Sequence, residues 1–131
     1  MFNVVYAQEV LYTITDLHSH ARLIYDILES NGVYFATIGC HTDNPFFNEW
    51  RREIIREEES YPVNEYSLDY ITEIFSSVGF EVGLKRLSDE YFCIYHPRVI
   101  KEFGSMMNLV KHCDEYKMLF CFYKATHNDK N

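Results

Sequence analysis

Two clusters of polar side chains, each following an apolar run of strand length, are where this sequence could do chemistry. Gln8, Glu9 and Tyr12 follow the run Phe2–Ala7. Glu9 or Tyr12 could orient a substrate or accept a proton there, or the three could form an ordinary polar loop. Cys40, His41 and Asp43 follow the run Val33–Ile38 and invite a metal ion or a nucleophile. Metal sites need three or four converging ligands with short-spaced pairs, and the chain adds only His18-x-His20 and His112-Cys113. His18 and His20 lie two apart on a helical stretch and point to different faces, so no metal site is expected. Cys40 and His41 are neighbours in an extended segment and project in opposite directions, which argues against a thiolate–imidazole pair. A third feature is aromatic: Phe46, Phe47, Trp50, Tyr61 and Tyr66 gather after the second cluster, as core, as the wall of a cavity, or as both.

The elements that must position these residues follow from periodicity. Phe2–Ala7 and Val33–Ile38 are nearly continuous apolar runs, the pattern of strands covered on both faces in a parallel sheet. Between them Asp16 is an N-cap, Leu17, Ala21, Ile24 and Leu28 form one apolar stripe, and Asn31-Gly32 supplies a left-handed stop. This predicts a helix over 16–31 and a right-handed βαβ crossover. The carboxyl ends of its two strands share one edge, where open α/β sheets hold their ligands.

Further on, Asn44-Pro45 opens a charged helix carrying Phe47, Trp50 and Ile54 on one face, which Tyr61-Pro62 breaks. Ser67 caps another helix whose Leu68, Ile71, Phe75 and Val78 repeat at helical spacing before Gly79. Phe80–Leu87 alternates like a strand with one face exposed, the pattern of an edge. Tyr91–Tyr95 reads as a short strand or a buried loop. Arg98–His112 reads as one helix through Val99, Phe103, Met106 or Met107, and Val110, and Tyr116–Ala125 as a final strand.

Composition narrows the function classes. With 131 residues, 47% of them hydrophobic, the chain is expected to form one globular domain over 1–131, ordered except at the tail His127–Asn131. Its 12 basic against 20 acidic residues leave a net charge of -8, which disfavours phosphate contacts and hence nucleic acid. No apolar run approaches the roughly 20 residues that span a bilayer, so a soluble, cytoplasmic protein without membrane contact is expected. Cys40, Cys93, Cys113 and Cys121 stand far apart with no C-x-x-C pair and are read as reduced thiols.

The order of these segments resembles the carboxyl-terminal half of class I S-adenosylmethionine-dependent methyltransferases. The resemblance runs through Phe2–Asp16 as the fourth strand and its loop, Leu23–Ala36 as helix, glycine turn and fifth strand, Tyr66–Val82 as helix, Gly-Phe turn and sixth strand, and Met118–Lys124 as the last strand. It implies an α/β fold: an incomplete Rossmann-like sheet of strands four to seven, in the order fourth, fifth, seventh, sixth, with the last antiparallel and helices around it. It also implies methyl transfer from S-adenosylmethionine to a small-molecule acceptor. Ala7, Gln8 and Glu9 would then lie by the cofactor, Glu9 and Tyr12 would be catalytic, and His41, Phe46, Trp50 and Tyr66 would meet the acceptor.

One departure qualifies this expectation. The family binds its cofactor through a glycine-rich turn after the first strand, whereas the five glycines here, at 32, 39, 79, 83 and 104, form no G-x-G pattern. Cofactor binding by this chain alone is therefore expected to be weak or absent. The opening strand is expected to present an edge that a second copy, as a homodimer, or a separate amino-terminal half must cover. The alternative is a non-catalytic dimeric interaction module derived from such an enzyme.

Overall fold

The computed structural model describes residues 1–57, 62–87 and 91–126. Four strands form one sheet: β1 (Phe2–Gln8), β2 (Leu28–Ile38), β3 (Glu81–Arg86) and β4 (Met118–Tyr123). Their order is β1-β2-β4-β3, with β1 parallel to β2 and β4 antiparallel to both β2 and β3. This is the arrangement expected from the sequence, and β3 is indeed an edge. The helices are α1 (Leu17–Ile27), α2 (Phe47–Glu57), α3 (Leu68–Val78), α4 (Pro97–Phe103) and α5 (Met106–Lys111). Among the described residues no helix is long and apolar enough to cross a membrane. Tyr61 and the tail 127–131 lie outside the described residues, as do the side chains of Ile54 and Val99.

The local signals act as their chemistry dictates. Asp16 accepts hydrogen bonds from the Ser19 backbone N–H (3.1 Å) and hydroxyl (2.7 Å) to open α1, and the Ser67 hydroxyl accepts from Tyr70 N–H (3.0 Å) to open α3. These helices pack side by side on one sheet face. Alternate residues Tyr34, Ala36 and Ile38 of β2 and Phe120 and Phe122 of β4 are buried against them. Phe75 of α3 stacks on Phe122 with ring centroids 3.8 Å apart, and Tyr34 and Phe80 close the cluster. His20 reaches into it, with Nε2 2.9 Å from the Tyr34 hydroxyl, while His18 is exposed, as their spacing required.

Four expectations are corrected. β1 is covered on one face, not two: Val5 and Ala7 turn toward the core, whereas Phe2, Val4 and Tyr6 remain 56–58% exposed; on the second face of β2, Thr37 is buried and Val33 and Phe35 are half-buried. Helix α1 stops at Ile27, four residues before Asn31, because the chain has already begun pairing with β1 at Leu28. The Lys124 ammonium caps that helix end, donating to the carbonyls of Tyr25 (2.7 Å) and Leu28 (2.8 Å). Asn31 does adopt the left-handed conformation, φ 68°, but within an irregularity of β2, where its N–H donates to Lys124 O (2.7 Å). Residues 91–95 form neither a strand nor a buried loop: Tyr91, Phe92, Ile94 and Tyr95 are 62–94% exposed. The helix expected over 98–112 is two helices, parted at Gly104, whose φ of 86° a side chain would resist, and restarted by Ser105 as N-cap.

Because Phe75 is fully buried and touches Phe122, Tyr34, Phe80 and His20, Phe75→Ala is expected to cost about 3–5 kcal/mol of unfolding free energy. Urea denaturation followed by circular dichroism measures this; a loss below 1 kcal/mol contradicts the packing described.

Candidate functional site

The chain turns sharply after each parallel strand, and both turns face the same cavity. β1 ends at Gln8, and Glu9 follows in the left-handed region, φ 55°. For a residue with a side chain that conformation costs about 1–2 kcal/mol. Hydrogen bonds hold it: Glu9 N–H donates to the Thr37 carbonyl (3.1 Å) and hydroxyl (3.2 Å), and Glu9 Oε2 accepts the Gly39 N–H at 2.8 Å. The end of β1 is thereby clipped to the end of β2 twice, by main chain and by side chain.

Between these turns and helices α2 and α4 lies a cavity of about 190 Å³. Glu9, Gly39, Cys40 and Asn44 line it from the strand edge, Phe47 and Trp50 from α2, and Phe103 and His112 from the α4–α5 segment. Asn44 organises its floor. Its Oδ1 accepts Phe46 N–H (3.0 Å), which fixes the amide orientation, so Nδ2 donates to Gly39 O (2.8 Å) and to His112 Nδ1 (2.9 Å). His112 therefore carries its proton on Nε2. A methyl group at Gly39 would sit 2.8 Å from the His112 ring, so only glycine lets the imidazole lie against this turn.

The electrostatics follow from burial. Burial raises the Glu9 pKa above the usual carboxylate value, opposed by the Gly39 N–H and by Lys117. Burial, with Glu9 adding to it, pushes the Cys40 thiol up so that it stays protonated and is a poor nucleophile. Burial, Lys117 and His41 together push His112 down to about 4. His41 is also lowered, chiefly by burial, against the pull of the Tyr116 carbonyl and of Asp43. Both rings are neutral near pH 7. His41 donates from Nε2 to Tyr116 O (2.7 Å), leaving a buried Nδ1 with no hydrogen-bond partner among the described residues and Asp43 4.0 Å away.

The residues singled out by sequence divide accordingly. Glu9 and Trp50 line the cavity, as do Cys40 and Phe47. Tyr12 meets Trp50 edge to face at 5.3 Å, and Phe46 packs on Phe103 (5.9 Å) and Tyr116 (6.2 Å). Ala7 pairs with Ala36 in the sheet, and Gln8 is exposed. His41 and Tyr66 are outside the lining: the Tyr66 hydroxyl bridges the carbonyls of Ile14 (2.5 Å) and Thr15 (2.9 Å) and steadies the approach to α1. Among the described residues no three His, Cys, Asp or Glu side chains converge as a metal site would require. Sequence reasoning missed Gly39, Asn44, Phe103 and His112. Asn44-Pro45 did carry a local turn signal, Asn44 accepting from the residue two positions on. Nothing local connects Asn44 with His112.

This sheet order with its edge cavity defines the class of fold: the α/β methyltransferase fold, over about half of its usual length. No family profile and no curated protein matches the chain. Solved structures do. A chain from the complex between the Haloferax volcanii Trm112 methyltransferase activator and a methyltransferase aligns over 95% of this chain and 54% of its own, at a TM-score of 0.76 and 19% identity. The S-adenosylmethionine-dependent methyltransferase of Thermotoga maritima, described as a possible histamine N-methyltransferase, aligns over 94% and 56%, at 0.62 and 14%. Phosphoethanolamine N-methyltransferase 2 of Haemonchus contortus, solved with S-adenosyl-L-methionine, aligns over 95% and 34%, at 0.59 and 16%. At these identities the likeness is one of fold.

Two measurements check this geometry. Asn44→Ala removes three hydrogen bonds around a buried turn and is expected to cost about 2–4 kcal/mol, read by chemical denaturation. The pH dependence has a definite sign: groups whose folded pKa is lowered contribute stability above their unfolded value and lose it as pH falls through the folded one. His112, His41 and His20 all behave so. Glu9, raised, works the other way, losing its contribution as pH rises through its folded value. With three groups against one, the melting temperature is expected to fall between pH 6.5 and pH 4, the window set by His112, and His112→Gln is expected to flatten part of that slope.

Proposed function

We propose that this chain forms the acceptor-facing part of a methyltransferase that moves a methyl group from S-adenosylmethionine to a small molecule. The observation that carries this reading is the Glu9 carboxylate, held in a strained turn and presented to a cavity at the carboxyl edge of two parallel strands, where folds of this class hold ligands. Neighbours in fold that bind or depend on S-adenosylmethionine support the cofactor.

When bound, the cofactor supplies an electrophilic methyl group on a sulfonium. The chain's own residues do the rest. At about 190 Å³ the cavity is smaller than the roughly 300–1,000 Å³ of drug-sized sites, so it suits a small acceptor or one end of the cofactor, not a whole nucleoside. Phe47, Trp50 and Phe103 exclude water from the reacting centre, and Tyr12 supports Trp50. Glu9, its pKa raised by burial, accepts the acceptor's proton. The adenosine is held by residues outside this cavity, and cofactor binding by residues 1–131 alone is weak.

Transfer of tritium from S-adenosyl-L-[methyl-³H]methionine to a panel of small amines, alcohols and thiols tests the reading, with calorimetric titration of S-adenosylhomocysteine beside it. Glu9→Gln is expected to lower turnover about 100-fold or more while preserving the fold. Neither binding nor transfer, with or without a protein that covers β1, overturns the proposal.

A second reading draws on the exposed face of β1. Phe2, Val4 and Tyr6 stand 56–58% exposed on an edge strand, and a second copy or another protein pairing there would make the chain an interaction module. A methyltransferase of like fold has been solved in complex with an activator protein. Sedimentation of the wild type and of Val5→Pro separates the readings: a dimer that dissociates on substitution, without any response to S-adenosylhomocysteine, favours the module.

A further inference from the structure

Three aromatic side chains and one acid meet in the cavity, and together they select a ligand by charge. Phe47, Trp50 and Phe103 wall it, and aromatic rings attract cations through their negatively charged faces. Glu9 stands at the strand edge of the same space. One of its carboxylate oxygens is engaged by the Gly39 N–H, and the other takes no hydrogen bond from any described residue. A carboxylate with a free oxygen beside aromatic walls, met only by the longer-range charge of Lys117, can pair with a further cation. We propose that the cavity recognises a small organic cation, an alkylammonium whose charged head rests against Glu9 and whose alkyl groups lie against Trp50 and Phe103. This deepens the methyl-transfer reading by naming the acceptor class, a small amine.

The surrounding groups favour this choice. His112 borders the cavity as a neutral ring, so it does not repel a cation. His41 behind it is neutral as well. Two cations act on the site from outside the lining: Lys117, which influences Glu9 and His112, and Arg51, which influences Cys40 and donates through Nε to Val63 O at 3.4 Å. The Cys40 thiol is protonated and contributes no charge. A neutral ligand of equal size would fill the space but leave the half-buried carboxylate unpaired.

Trp50 is the only tryptophan, so its fluorescence reports on the cavity. The protein is titrated with tetramethylammonium and with tert-butanol, a neutral molecule of similar size, and no methyl donor is present. The expected result is saturable binding of the cation at least about tenfold tighter than of the alcohol, weakening as pH falls through the Glu9 pKa. Glu9→Gln should abolish the preference, and Phe103→Leu should weaken the cation about fivefold while sparing the alcohol. Equal affinities for the two ligands, or an undiminished preference in Glu9→Gln, overturn the inference. If either variant fails to fold, the wild-type comparison decides by itself. A cation preference without methyl transfer would sink the enzymatic reading alone, whereas transfer confined to neutral alcohols or thiols would sink only the amine.

Discussion

Everything that shapes the cavity converges on the peptide group of Gly39. Its N–H is held by Glu9, its carbonyl by Asn44, and its bare α-carbon by the ring of His112. These partners come from the loop after β1, the loop after β2 and the far end of the chain. Three segments with no local reason to meet are thereby locked at one point, and each contact constrains the others. Asn44 can reach His112 only because its amide is oriented by Phe46, and Glu9 can reach Gly39 only from a left-handed turn. A strained residue is tolerated where its surroundings over-determine it.

The same convergence sets the electrostatics. One acid and two imidazoles are withdrawn from water within a few residues of one another, and burial drives each toward its neutral form. The two rings are thereby neutral near pH 7, and the Glu9 carboxyl holds a proton more readily than an exposed one, which suits proton acceptance. Cys40, on which a nucleophile might have been built, is pushed the opposite way by the same burial and becomes wall.

The sheet is a further consequence of where apolar surface goes. Its inner face carries a continuous aromatic layer, Tyr34, Phe120 and Phe122, on which Phe75 of α3 stacks, while β1 turns Phe2, Val4 and Tyr6 outward. An apolar surface of this kind, on an edge strand, is a place for further protein to pack.

By itself the sequence determined the elements whose signals are local. Asp16 and Ser67 cap helices because their side chains meet backbone donors three residues on, and the apolar composition of Met118–Tyr123 marks a strand. The order of these elements also resembles that of class I methyltransferases, and it was that resemblance which implied the sheet order and its antiparallel last strand. Glu9 and Trp50, singled out by the resemblance and by their place after a strand and on an aromatic stripe, both line the cavity. Tertiary structure alone decided the remainder. Whether β1 was covered on one face or two depended on how many layers pack, which periodicity does not encode. The break at Gly104 required a backbone angle, and the end of α1 required Lys124 arriving from β4. His112 entered the site from 68 residues away, through a hydrogen bond to Asn44 that only the folded chain can make. Local chemistry writes the elements, and long-range packing chooses which of their side chains share a cavity.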